Sequence, residues 1–127
     1  ARFQLANGYF MFTIILMPFF TAFMADYLNT PFAQPAIVCY CLNTLLHNTG
    51  WLALHRSILK ARPALVRDAI AMERASRASM QATYGLAVYA SISVLAWWQP
   101  YVALVANVLT WIFWLVVSMR VRSPAVA

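Results

Sequence analysis

Acidic side chains are nearly missing from this sequence: three in 127 residues, Asp26, Asp68 and Glu73. None falls inside a hydrophobic run, and no nucleophile stands beside a base, so no catalytic set is offered and no enzyme activity is expected. Glycine is equally scarce, with only Gly8, Gly50 and Gly85, which excludes a glycine-rich phosphate loop. The two histidines and two cysteines never combine with carboxylates at metal-ligand spacing. Cys39 and Cys41 lie two apart in an apolar stretch, where helical side chains diverge by about 200°. They read as small buried apolar residues, not as a redox or metal pair.

Charge as a whole is also short, at 9% of residues against 64% hydrophobic. A soluble domain carries about 25% charged residues, because its surface must face water. What charge exists is segregated: none occurs from Phe3 to Ala25, from Tyr27 to His55, or from Ala78 to Met119. A helix crossing the hydrocarbon core needs about 20 apolar residues, and each window supplies them. The sequence therefore predicts an all-α integral membrane protein, a single domain over residues 1–127, with the lipid bilayer as its first partner.

The first span is placed at about 5–24, closed by Asp26 and the turn residues Asn29, Thr30, Pro31 and Pro35; the second at about 36–55. The segment 56–79 is read as a basic cytoplasmic loop, holding a short interfacial helix that starts near Pro63 and carries Glu73 four residues before Arg77. The final uncharged window of 42 residues would reach about 63 Å as one helix, twice the hydrocarbon thickness, so it must fold back. Trp97, Trp98, Gln99, Pro100 and Tyr101 supply the turn and an interfacial aromatic belt, giving spans at about 80–97 and 100–119. The expected architecture is thus four transmembrane helices as two hairpins. This count puts all nine Lys and Arg on one side and only Asp26 on the other, so both the N and C termini are expected in the cytoplasm. The net charge of +6 then reflects a membrane face, and no nucleic acid partner is expected.

Polar groups inside such spans are costly, so their positions carry information. The second span holds a stripe of Tyr40, Thr44, His47, Asn48, Trp51 and His55 at helical spacing, flanked by Asn43. The fourth carries Asn107, Thr110, Trp111, Trp114 and Ser118. Asn7, Thr13 and Thr21 punctuate the first, and Tyr84, Ser91 and Ser93 the third. Asn7, Thr44, His47, Asn48 and Asn107 are the leading candidates for intramembrane packing or a polar site. Two readings stay open: hydrogen bonding between helices, worth about 0.6–2 kcal/mol each, or the lining of a water-filled path. Haem ligation is not expected, because His47 and His55 share one span about 12 Å apart and cannot flank one iron. No other cofactor is expected.

The segment LANGYFMFTIILMPFFTAFMADY resembles bacterial relatives of the endolysosomal potassium channel, the transmembrane protein 175 family. Asn7 and the Pro18, Phe19, Thr21, Ala22 pattern match an Asn and a Pro-Phe-x-Thr-Ala signature on the family's third helix. NTPFAQPAIVCYCLNTLLHNTGWLAL is similar to the outer loop and fourth helix that follow, with Asn43 at a polar Leu-Asn step. The resemblance covers nearly the whole chain but only the last four helices of a six-helix repeat. The family's defining Arg-x-x-x-Phe-Ser-Asp motif, on its pore-lining first helix, is not among these residues. The resemblance implies the scaffold part of a potassium-channel-like protein, with ion transport depending on a pore helix supplied elsewhere. It also implies a bacterial inner membrane and a homo-oligomer or larger membrane complex. A non-conducting accessory subunit of a larger complex is the alternative. The chain opens on Ala1, not Met, and is expected to be processed or partial.

Overall fold

The computed structural model describes residues 2–61 and 69–121. These form four helices and no strand: α1 (Arg2–Tyr27), α2 (Ala33–Lys60), α3 (Ala69–Leu95) and α4 (Pro100–Val121). At 1.5 Å per residue each exceeds the roughly 30 Å of a hydrocarbon core. Two of them, over Arg2–Tyr27 and Pro100–Arg120, are long and apolar enough to cross a membrane, and few of their residues are buried within the bundle. Phe12, Ile15 and Phe19 on α1, and Val105, Leu109 and Phe113 on α4, turn more than half of their surface outward. The polar residues instead gather on α2 and α3.

The chain runs up and down through the bundle. Tyr9 meets Thr49, Thr13 meets His47 and Met17 meets Asn43, so α1 and α2 are antiparallel. Asn48 meets Ala82 and Gln34 meets Trp97, so α3 returns antiparallel to α2. Thr44 pairs with Asn107 and His47 with Trp111, so α4 runs parallel to α2. α2 is the hub: it packs against every other helix, whereas among the described residues α1 packs against α2 alone. Two glycines permit the close approaches. A Cβ on Gly50 would lie 3.2 Å from the Phe10 Cα, and one on Gly85 would lie 2.9 Å from the Asn48 Oδ1. On α3 the buried positions are mostly small (Ala75, Ser79, Ala82, Gly85), as expected where helices close by contact between backbones.

One end of the bundle carries the tight turns. Thr30 Oγ1 donates to the Tyr27 carbonyl and accepts from the Phe32 amide, which knits the α1–α2 turn. Gln99 closes α3 through Leu95 O, and Pro100 opens α4, where its missing N–H costs nothing. Tyr101 donates to Leu28 O across 3.0 Å and Gln34 donates to Trp97 O, joining the two hairpins at this end. Beneath lies an apolar cluster of Ile37, Val38, Cys41, Tyr89, Ile92, Ala96 and Ala103. The described cations (Arg2, Arg56, Lys60, Arg74, Arg77, Arg120) all belong to the opposite end.

The structure differs from the sequence reading in the 56–79 segment. α2 continues to Lys60, and residues 69–79 are not part of a separate interfacial helix but the first three turns of α3. The charges do not interrupt it, because Glu73 and Arg77 pair at 2.6 Å on an exposed face. The expected helix start at Pro63, and Arg62, Arg67, Asp68 and Arg122, lie outside the described residues.

Candidate functional site

Three of the expected residues meet partners on three different helices. Thr44, fully buried, shares its single hydroxyl proton between Cys41 O of its own helix at 2.7 Å and Asn107 Oδ1 on α4 at 3.0 Å. Asn107 is itself fully buried; its Nδ2 has no hydrogen-bond partner among the described residues, and the Tyr40 side chain lies within electrostatic reach. Asn48, 9% exposed, donates through Nδ2 to Ala82 O on α3 at 2.8 Å. Its seat is the notch left by Gly85.

His47 joins α1 to α4. Its ring lies between Phe10 on α1 (centroids 5.1 Å apart) and Trp111 on α4 (5.8 Å, stacked). Its Nδ1 lies 3.0 Å from Thr13 Oγ1. The Thr13 hydroxyl spends its single proton on Phe10 O at 2.6 Å, so it accepts from His47, and the proton of a neutral imidazole then sits on Nδ1. Nε2 is left as a bare acceptor, and no described residue partners it. His55 is on the same helix with its Nδ1 3.0 Å from Trp51 O, away from His47. Among the described residues no three His, Cys, Asp or Glu side chains are placed to hold a metal ion.

Around His47 a half-open cavity of about 240 Å³ lies between α2, α3 and α4. Thr44, His47, Asn48 and Trp51 come from α2; Ala78, Gln81, Ala82 and Tyr89 from α3; Trp111, Trp114 and Ser118 from α4. On α4, Ala103 and Asn107 are fully buried, whereas Trp111 and Trp114, further along the helix, line the cavity. The cavity thus occupies the half of the bundle that carries the basic end. No charged described residue lines it.

Asn7 does not join this group: it is half-buried on α1, and no side-chain partner for it occurs among the described residues. Ser91 and Tyr84 point outward. Gln81 is not among the residues the sequence pattern singles out, although it is the one amide side chain on α3 between the charged turns and Gln99. Asn43 is buried against α1, with Nδ2 3.1 Å from Met17 Sδ and Oδ1 without a partner among the described residues.

Comparison with protein-family models, with characterised proteins and with solved structures finds no match.

Proposed function

We propose that these residues form a four-span helical scaffold in a bacterial inner membrane, part of a potassium-channel-like protein whose ion path is lined by a helix from outside this segment. The observation that carries the reading is the layout of the polar groups. They run from Ser118 and Gln81 through Asn48 and His47 to the Thr44–Asn107 pair. Beyond that pair the apolar cluster around Ile37, Ile92 and Ala103 continues towards the turns, with half-buried Tyr40 and buried Ser93, bonded to its own helix at Tyr89 O, as the polar residues among it. A polar line closed at one end holds water or a ligand but offers no through path, and it contains no acidic group to draw a cation in. The resemblance at Asn7, Pro18, Phe19, Thr21 and Ala22 supports the channel family; the outward apolar faces of α1 and α4 support packing against lipid or further helices. Grouping of the described cations at one end supports cytoplasmic placement of both termini and of the α2–α3 connection.

The test is a planar-bilayer recording of the 127-residue protein, alone and joined to an upstream helix bearing the Arg-x-x-x-Phe-Ser-Asp pattern. The expected result is no current from the former and a potassium-preferring current from the latter. A selective current from the 127 residues alone overturns the scaffold reading. Silence from both favours an accessory subunit, a role to which the exposed Trp97, Trp98 and Phe113 are suited.

A further inference from the structure

We infer that the cavity between α2, α3 and α4 is a binding site for a neutral ring hydroxyl, the chemistry shared by phenols and hydroquinones, with His47 Nε2 accepting the hydroxyl proton. The inference is independent of the channel-scaffold reading and needs only that the chain lie in a membrane.

Four observations select this ligand class. The first is the acceptor. His47 lines the cavity, its Nδ1–H is committed to Thr13, and Nε2 is the one ring nitrogen left. An acceptor held in one tautomer by a fixed neighbour recognises a donor and rejects another acceptor. The second is the wall. Trp51, Tyr89, Trp111 and Trp114 give the cavity flat aromatic boundaries, which favour offset or edge contact with another ring. The third is neutrality. No carboxylate or cation of the described residues lines the space, so a charged ligand would be desolvated there without compensation. The grouping of Arg56, Arg74, Arg77 and Arg120 at this end also works against an ammonium. The fourth is size. A cavity of about 150 Å³ is enough to take up benzene. The 240 Å³ found here admits one substituted ring but not a fused macrocycle such as haem, and because the cavity is half open an alkyl tail need not be enclosed.

The experiment uses the full chain in lipid nanodiscs and two probes, 2-bromo-4-octylphenol and its methyl ether. Bromine quenches tryptophan on contact, and three of the five tryptophans line the cavity. The expected result is saturable quenching by the phenol, with the ether at least about fivefold weaker, the factor lost with one neutral hydrogen bond. His47→Phe keeps the ring between Phe10 and Trp111 but removes the acceptor; it should bind the phenol about fivefold more weakly and no longer distinguish it from the ether. Ala78→Leu, which fills the cavity from α3 and leaves His47 untouched, should abolish saturable quenching by both probes. Equal affinity for phenol and ether in the unsubstituted protein overturns the inference without reference to any variant. So does quenching that rises linearly without saturation, or wild-type discrimination in His47→Phe.

Discussion

Gly85 sits where α3 passes closest to the Asn48 side chain, and the two residues constrain each other. A Cβ at position 85 would meet Asn48 Oδ1 at 2.9 Å, and that amide cannot swing aside without losing its bond to Ala82 O. Gly85→Ala gains about 1 kcal/mol of helix propensity, but displacing a buried, bonded amide costs about 1–3 kcal/mol. The net expectation is a loss of about 0–2 kcal/mol in the native background and a gain of about 1 kcal/mol beside Asn48→Ala. Denaturant unfolding in micelles, followed by circular dichroism, measures all four corners of this cycle; the same sign in both backgrounds would show that Asn48 is not the obstacle. His47 is a similar case of one residue read through another. Its place in a polar stripe is visible in the sequence, but its tautomer is not, because that is set by Thr13 on another helix and by the hydroxyl's prior bond to Phe10 O.

At the scale of the helix, α1 packs among the described residues against a single neighbour, and Gly50 is a point of close approach between the two. The atom facing it is the Phe10 Cα, which yields only if the whole helix moves. Gly50→Leu should therefore separate α1 from α2 and leave the α2–α3–α4 unit intact. Cross-linking between Met17→Cys and Asn43→Cys, efficient in the parent, should fall several-fold, while a probe of the Gln34–Trp97 contact should not change. An undiminished cross-link would mean that the helices close elsewhere. The helices themselves were legible because their boundaries are chemical: Asp26 with Pro31 at one turn, Gln99 with Pro100 at the other. The early start of α3 was not, since a charged run reads as a loop when hydropathy alone is followed, and Glu73 and Arg77 are compatible with a helix once they face outward as a pair. The pairings Thr44–Asn107 and Asn48–Ala82 were also hidden. Period locates a face, but the crossing of two helices decides which residues on those faces touch.

For the whole molecule, the two ends of the bundle differ in kind: hydrogen-bonded turns with Asp26 and Trp98 at one, the described cations at the other. In a membrane this asymmetry sets orientation. A single cysteine at Thr30→Cys is expected to react with an impermeant maleimide from outside, and one at the exposed Ser76→Cys only from the cytoplasmic side. Reaction of both from the same side would refute the single crossing between them, and the four-span arrangement with it. The hub position of α2 has a further consequence, for the order of assembly. The chain delivers its helices in sequence, and the helix that touches all the others comes second. α1 needs to wait only for α2, whose arrival at once supplies partners to Tyr9 and Thr13; α3 and then α4 each emerge to find α2 already in place. No described helix has to wait for a partner more than one step away, so the contacts allow the bundle to grow by addition.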